Sequence, residues 1–228
     1  MSSWLQPIIS MLDLLLTELF RITHDWGLAI VALTFIVRML LFGLNLKNYR
    51  QQVRQKTVQP LMLKLKEKHS DNQEKLLKET MKLNQTYGIK PFSMLVTALV
   101  QMPIFMSLLR LFTMHGDKMT STLISWTTTL AVSDPWHLVP ILSVTFTFVG
   151  SLIPLTTELT LLQAMRKTAG ISLIMNVVYL FVLWSSPIAL GLYYTASGIF
   201  ALAEKLFYRT KWGQQLLHRG IEAQAIAA

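Results

Sequence analysis

The sequence predicts an all-α polytopic membrane protein in which five transmembrane helices surround a hydrophilic groove. A cytoplasmic helical hairpin and an N-terminal interfacial helix complete the predicted fold. The first observation is composition: 52% of the 228 residues are hydrophobic and 14% are charged, with a mean hydropathy of +0.44, which is too apolar for a soluble domain. The second is that the apolar residues form long runs, close to the ~20 residues that cross a bilayer. The third is Arg38, which lies inside the first run.

The order of the elements follows from these runs. Residues 1–26 are predicted to form an extracytoplasmic N-terminus, whose apolar but acid-interrupted stretch suits an interfacial helix. The predicted spans are 27–46, 92–112, 136–155, 169–184 and 187–207. The intervening segments are a hairpin at 47–91, an extracytoplasmic loop with a short helix at 113–135 and a cytoplasmic loop at 156–168, with a cytoplasmic tail at 208–228.

Basic residues set the predicted topology. The chain has 21 Lys and Arg against 12 Asp and Glu, a formal net charge of +9, and eleven of the basic residues lie between Lys47 and Lys90. The positive-inside rule therefore predicts that the hairpin and the C-terminus are cytoplasmic. Five spans then require the N-terminus to lie outside. The bacterial plasma membrane is the expected location, because the start of the chain lacks the Arg- and Ser-rich composition of a transit peptide.

The hairpin carries its own helix signals. Pro60 is expected to bend or restart the first arm. Asp71 is the predicted N-cap of the second arm, with Glu74 three residues later as in a capping box, and Gly88 fits the C′ position. An apolar stripe at helical spacing, open to interpretation as a solvated face or a docking face, is formed by Leu76, Leu77, Met81 and Leu83.

Each predicted span carries polar side chains on one face. Such stripes often only join helices, but five of them beside a charge predict one shared cavity. A guanidinium at bilayer depth costs about 2.5–3.5 kcal/mol on insertion scales, so a chain that retains one is expected to use it. Together with Arg38, the residues predicted to line the cavity are Thr34, Asn45, Thr97, Gln101, Ser143, Thr147, Asn176, Tyr179, Tyr194 and Ser197.

No catalytic constellation is present in the sequence. Cysteine is absent, which excludes disulfides, thiolate metal sites and cysteine nucleophiles. The five histidines are scattered without paired ligand spacing, and the sequence lacks the phosphate-binding, dinucleotide-binding and hydrolase motifs. We therefore expect no enzymatic activity, no metal and no cofactor.

Several motifs together resemble those of the YidC/Oxa/Alb membrane protein insertase superfamily. They are TFIVR in the first span, YGIKP after the hairpin, QMPIF in the second span and SPIALGLYYTASGIF in the fifth. The resemblance covers about residues 4–210, and the short form is similar to the Gram-positive-type members. It implies a membrane protein insertase and chaperone that works without nucleotide hydrolysis. It also implies a groove open to the cytoplasm and to lipid, with Arg38 inside it.

The resemblance implies partners as well. These are nascent membrane proteins and the lipid bilayer, with the ribosome and a Sec-type translocon as further candidates, and without direct nucleic-acid specificity. It assigns substrate recruitment to the hairpin, here to Lys64, Lys66, Leu76, Leu77 and Met81. Two alternatives stay open: a membrane assembly scaffold without insertion activity, and a transporter of an anion or small solute. A transporter would favour inverted repeats, which five spans with one long hairpin do not show.

Overall fold

The computed structural model describes residues 6–90, 93–155 and 161–219, without the side chains of 93–98, 100, 161–169 and 171. Within these ranges the chain forms helices and no strand, so the predicted all-α secondary structure is confirmed. Two short 3₁₀ helices, Gly116–Lys118 and Thr122–Ile124, lie between the fifth and sixth α-helices. The α-helices are α1 (Gln6–Thr23), α2 (Trp26–Leu40), α3 (Phe42–Lys68), α4 (Gln73–Thr86), α5 (Ser93–His115), α6 (Leu138–Leu152), α7 (Leu161–Trp184), α8 (Ile188–Tyr208) and α9 (Lys211–His218).

The chain divides into two units. The first unit comprises Met1–Leu41 and Val100–Leu206, and the second comprises Phe42–Leu99 and Phe207–Ala228. Among the helices of the described ranges, none is by itself both long and apolar enough to cross a membrane, and one bent consecutive pair, α2 with α3, meets that requirement jointly.

The predicted span 27–46 is divided between two helices. Helix α2 ends at Leu40, and α3 begins at Phe42. Between them Leu41 has φ −83° and ψ −2°, with its amide bonded to the carbonyl of Val37. A ψ near zero lies in the sparsely allowed bridge region and ends the regular helix. The apolar run could not reveal this break, because hydropathy is continuous across it.

Two other boundaries differ from the prediction. Helix α7 begins at Leu161, inside the predicted loop 156–168 and eight residues before the predicted fourth span at 169. Residues 156–160 of that loop lie outside the described residues. The predicted tail contains α9, whose N-cap Thr210 accepts a hydrogen bond from the amide of Gly213. Hydropathy locates apolar stretches, whereas Gln, Lys and Arg also favour helix and extend it beyond them.

The hairpin differs from the prediction at two points. Helix α3 runs from Phe42 to Lys68 with Pro60 inside it, so the expected restart at Pro60 is wrong: the helix continues although the proline cannot donate a backbone hydrogen bond. The N-cap of α4 is Asn72, whose side chain accepts from the amide of Lys75 at 2.9 Å, and the prediction of Asp71 is wrong by one residue. The prediction for Gly88 is confirmed by its φ of 61°, which favours glycine.

The first unit is built on an apolar core. Helix α1 packs on α2 and buries Leu12 and Leu16, while Ile30 and Leu33 of α2 are also buried. Burying such side chains contributes roughly 1.5–3 kcal/mol each. The remaining buried members of the core come from α2, α5, the connector 116–137, α6 and α8, and are Ala29, Val37, Leu108, Leu111, Phe112, Met119, Ile124, Leu130, Val139, Ile188, Ala189, Leu190, Leu192 and Tyr193.

The first buried carboxylate of this unit, Asp25, joins the connector 116–137 to α2. It caps α2 by accepting from the amide of Leu28 at 2.9 Å. It also accepts from the Ser121 hydroxyl at 2.7 Å and from the Thr122 amide and hydroxyl at 2.6 and 2.7 Å. Burial raises the pKa of Asp25, but these hydrogen bonds outweigh it and lower the pKa to about 2. The carboxylate is therefore ionised at neutral pH.

The second buried carboxylate, Asp134, joins the same connector to α6. It accepts from the Trp126 indole at 2.9 Å, the Trp136 amide at 3.1 Å and the Val139 amide at 2.8 Å. Burial raises its pKa, yet these bonds together lower it. The connector also accepts the first amides of α8, from Ile188 to the carbonyl of residue 132 and from Ala189 to that of residue 130. One end of α2, α6 and α8 is thereby fixed.

The second unit contains α3, α4 and α9. The carbonyl of Gly88, just beyond α4, accepts from Arg54 at 2.9 Å and from Gln51 at 3.3 Å. A cation at this position also interacts favourably with the helix dipole. One turn earlier in α3, Arg50 donates to the carbonyl of Leu216 in α9 at 2.8 Å. Side-chain donors on α3 thus hold both neighbouring helix ends.

Candidate functional site

The first unit contains a cavity of about 410 Å³ between its helices. Its residues come from α2, α6, α7 and α8, three of which have one end fixed by the connector. The cavity is lined by Arg38, Phe146, Thr147, Gly150, Ser151, Met175, Asn176, Tyr179, Tyr194, Ser197, Gly198, Ala201 and Lys205.

The charge of the cavity is positive. Arg38 and Lys205 line it, and the lining includes no carboxylate. Within the described part of the chain, no acidic oxygen lies within 4.0 Å of Arg38, and its Nε is buried without a hydrogen-bond partner. Lys205 donates from Nζ to the carbonyl of Gly150 at 2.6 Å, near the end of α6. An anionic group that enters the cavity therefore meets two positive side chains and no negative one in this lining.

Eight of the predicted cavity residues meet at this place. Six of them line the cavity: Arg38, Thr147, Asn176, Tyr179, Tyr194 and Ser197. The other two, Thr34 and Ser143, are buried in the layer behind. The Thr34 hydroxyl bonds to the carbonyl of Ile30 at 2.7 Å, and the Ser143 hydroxyl lies 3.3 Å from that of Tyr179.

Three predicted residues are not part of this lining. Gln101 donates instead to the Tyr193 hydroxyl at 2.8 Å, which ties α5 to α8 behind the cavity. Asn45 belongs to the second unit, whereas the cavity is lined by residues of the first. The side chain of Thr97 lies outside the described residues.

Sequence reasoning missed several lining residues. Lys205 is not among the predicted cavity residues, although it lies eleven positions after Tyr194 and therefore on the same helix face. Gly198 gave no signal in the sequence, yet it lets α8 approach α6: a Cβ there would lie 3.1 Å from the Cβ of Phe146. Small residues allow such close helix contacts in membrane proteins. The other missed residues are Gly150, Met175, Phe146 and Ala201, whereas Ser151 continues the polar face of Thr147 one turn further along α6.

Aromatic rings form one wall of the cavity. Tyr194 makes edge-on contacts with Tyr179, at 5.3 Å between ring centroids, and with Tyr193 at 5.2 Å. Phe105 of α5 lies 6.0 Å from the Tyr194 ring on the core side. Such edge-to-face pairs add to the stabilisation from burial. They hold the Tyr194 ring against the cavity.

The predicted recruitment residues lie in the second unit, around a smaller cavity. That cavity encloses about 180 Å³ between α3 and α4 and is lined by Gln59, Met62, Leu63, Lys66, Leu76 and Thr80. Lys66 and Leu76 are thus brought together, and Lys64 is exposed nearby along α3. Leu77 and Met81 point away from this cavity and are 62% and 55% exposed. The predicted stripe is therefore two faces, one against α3 and one open to solvent.

The described residues offer no metal site, since no three His, Cys, Asp or Glu side chains among them converge. The functional groups of the cavity are therefore its hydrogen-bonding side chains and its two cations.

Comparison with known proteins gives a consistent family. The family model described as 60Kd inner membrane protein matches residues 18–215. A membrane protein insertase YidC of Syntrophus aciditrophicus is 27% identical over 205 residues, which are 90% of this chain and 37% of that protein. The insertase YidC of Nitratidesulfovibrio vulgaris is 28% identical over 208 residues, 88% of this chain and 37% of that protein. The chain thus spans little more than a third of the length of these relatives.

The fold has a solved counterpart. A crystal structure of an active YidC insertase, with its first transmembrane domain resolved, matches with a TM-score of 0.67 and 27% identity. The match covers 92% of this chain and 47% of that one. The family model covers most of the chain, and the resemblance first inferred from the TFIVR, YGIKP and QMPIF motifs is confirmed. The chain belongs to the 60Kd inner membrane protein family.

Proposed function

We propose that this chain inserts newly made membrane proteins into the bilayer and assists their folding, without nucleotide hydrolysis. The observation that carries the proposal is a cavity of about 410 Å³ with two cations and no carboxylate in its lining, inside a unit whose core is otherwise apolar. The relatives named membrane protein insertase YidC support the same function.

The cavity lowers the main barrier to insertion. A client must carry polar residues across a hydrocarbon layer, and each polar group that loses water without a new partner costs several kcal/mol. Hydroxyl and amide groups along the cavity shorten the dry part of that path. Apolar client residues leave sideways into lipid, and their burial there drives the step.

Arg38 attracts acidic residues of the translocated segment. Its guanidinium is always charged and faces no carboxylate within the described residues, so a client carboxylate gains a charge-assisted contact without breaking an existing ion pair. The membrane potential helps an acidic residue to move outward, by about 2.3 kcal/mol per charge and 100 mV. Arg38 therefore lowers a barrier and need not retain the client.

The proposed topology has five spans, with the N-terminus outside and the C-terminus in the cytoplasm of a bacterium. The charge distribution supports it, since eleven basic residues lie between Lys47 and Lys90. In this orientation the connector held by Asp25 and Asp134 lies on the outer side. In this proposal the cavity opens on the side away from the connector. The hairpin and tail face the cytoplasm, where nascent chains, the ribosome and a Sec-type translocon are the proposed partners.

The hairpin is the proposed recruitment element. Leu77 and Met81 present an exposed apolar face on α4, and Lys64 and Lys66 of α3 add positive charge beside the smaller cavity. An apolar nascent segment with flanking acidic residues fits this combination. Exchange of Leu77 and Met81 for Ser should reduce crosslinking to nascent chains several-fold. A matched exchange of the exposed Gln85 should not, and equal crosslinking by both variants would exclude this role.

The function is tested with purified protein in vesicles. Insertion of a small client is measured for wild type, Arg38→Ala and Arg38→Lys, with Arg110→Ala as the control for loss of an exposed arginine. We expect the alanine variant at position 38 to insert clients with acidic translocated segments at least tenfold more slowly. The lysine variant should retain much of the activity. Unchanged insertion by Arg38→Ala across such clients would rule out the charge mechanism.

A further inference from the structure

Three buried polar atoms around the cavity have no hydrogen-bond partner within the described part of the chain. They are Nε of Arg38, Oδ1 of Asn176 and Oγ of Ser197. Asn176 and Ser197 are only 6% and 2% exposed, and all three side chains line the same cavity. They come from three different helices, α2, α7 and α8. Buried polar groups in proteins are normally paired, so the grouping of three around one cavity indicates a ligand.

Several other polar groups of the lining are already engaged. The Thr147 hydroxyl donates to the carbonyl of Ser143 at 2.9 Å, and the Ser151 hydroxyl donates to that of Phe148 at 2.6 Å. The Tyr179 hydroxyl is paired with Ser143 at 3.3 Å. These groups make the wall polar but direct their hydrogen bonds into the protein. Among the buried polar atoms of the described lining, the three named above are therefore the ones left without a partner.

The chemistry of these atoms is mixed. Nε of Arg38 is a donor only. The Asn176 amide is oriented by its Nδ2, which donates to the carbonyl of Ser172 at 2.7 Å, so its Oδ1 is an acceptor. The Ser197 hydroxyl serves as either. A carboxylate would satisfy Arg38 but has no proton to give Asn176. The complete ligand must carry an acceptor and a donor side by side.

In an extended chain the N–H and the C=O of one residue point to the same side and carry this pair. We propose that the cavity binds backbone peptide groups of the client, with a carbonyl accepting from Arg38 and an N–H donating to Asn176, and with Ser197 completing the contact. The proposal rests on the function proposed above and names what the groove recognises besides acidic side chains. Only an extended segment has free N–H and C=O groups, because a helix uses them internally. Recognition of this kind is independent of side chains, so it serves clients of unrelated sequence.

The test is a double-mutant cycle between protein and client. Wild type and Asn176→Leu are reconstituted in vesicles with a single-span client whose translocated segment has no acidic residue. The client is made by peptide ligation in its amide form and in a series of forms in which one ester bond replaces one amide of that segment, which deletes that N–H. Val177→Leu, at an exposed neighbouring position, controls for a change in the same helix. The insertion rate is measured for each combination.

Loss of one hydrogen bond should slow insertion about threefold to tenfold. We expect Asn176→Leu to do so with the amide client, one or more ester positions to do so with wild type, and the two changes together to slow insertion no further than the larger. Val177→Leu should act like wild type. Multiplicative effects at every ester position would overturn the proposal, because an effect of Asn176→Leu on packing alone would be the same for both client forms.

Two further arms keep the outcomes distinct. If Asn176→Leu does not fold, Ser197→Ala replaces it in the cycle with a much smaller change of shape. Insertion no faster than in protein-free vesicles would refute the proposed function and this inference with it. Slower insertion of acidic clients by Arg38→Ala, together with full insertion of the neutral client by Asn176→Leu and Ser197→Ala, would leave the function standing and overturn peptide recognition.

Discussion

Replacement of Asp25 by Asn tests how the connector 116–137 is attached to α2. The asparagine has the same shape and still caps a helix well, but its amide nitrogen would face donors where the second carboxylate oxygen accepts from the Thr122 amide and hydroxyl. The charge is lost as well. In the folded chain the pKa of Asp25 is lowered from 3.8 to about 2. At 1.36 kcal/mol per pKa unit this corresponds to about 2 kcal/mol of stability at neutral pH.

The expected result is a lower melting temperature. For a chain of this size, 1 kcal/mol shifts Tm by roughly 2–4 °C, so Asp25→Asn should lower it by about 4–8 °C at pH 7. The measurement is thermal unfolding of the detergent-solubilised protein, followed by tryptophan fluorescence. Asp13→Asn is the matched control, since Asp13 is partly exposed and, among the described residues, has His115 at 3.5 Å as its one ion-pair partner, and exposed pairs contribute little.

The pH dependence gives a second measurement on the same variant. Because the folded pKa of Asp25 is depressed, its stabilisation is complete above 3.8 and is lost as the pH falls toward 2. The difference in Tm between wild type and Asp25→Asn should therefore shrink over this range. A difference that stays constant from pH 7 to pH 2.5, or one below 1 °C at pH 7, would refute the role given to the carboxylate.

Two other predictions concern the second unit. Gly213→Ala should displace α9, because its Cβ would overlap the backbone of Phe207. Limited proteolysis of the C-terminal segment should then become several-fold faster. Gly43→Ala, which has open space around it in α3, should leave the rate unchanged, and equal rates for the two variants would disprove the packing argument. Asn72→Ala should lower stability by about 1 kcal/mol through loss of the α4 N-cap, measured as reduced hydrogen-exchange protection in α4, whereas a loss confined to Asp71→Ala would show that the cap was misassigned.

The sequence identified much of the site because helical periodicity carries it. Thr147 and Asn176 were placed on polar faces by spacing alone, and both line the cavity. The spacing of polar residues does not reveal how a helix is rotated about its own axis. Gln101 therefore looked like a cavity residue on its own stripe, while in the structure it bonds to Tyr193. Tertiary packing decides which way a polar face turns.

Other parts of the site have no local pattern in the sequence that would predict them. Lys205 could not be recognised as a cavity residue, since charge counting does not distinguish a lysine in solvent from one that bonds to Gly150. Asp134 lies in a stretch of Ser and Thr that resembles any loop, and Asp25 directly precedes the first apolar run. The role of Asp25 depends on donors 96 and 97 positions away in sequence. Such long-range hydrogen bonds leave no local pattern.

The engagement of the Thr147 and Ser151 hydroxyls with their own helix has a consequence for turnover. If these hydroxyls were free, each of them could form a hydrogen bond with a client, and the client would be held in many alternative positions. Here the Thr147, Ser151 and Tyr179 hydroxyls form their hydrogen bonds within the protein. Under the proposed insertion function, these groups would make the cavity polar without holding a client tightly, so that release would be fast and one molecule could serve many clients in succession.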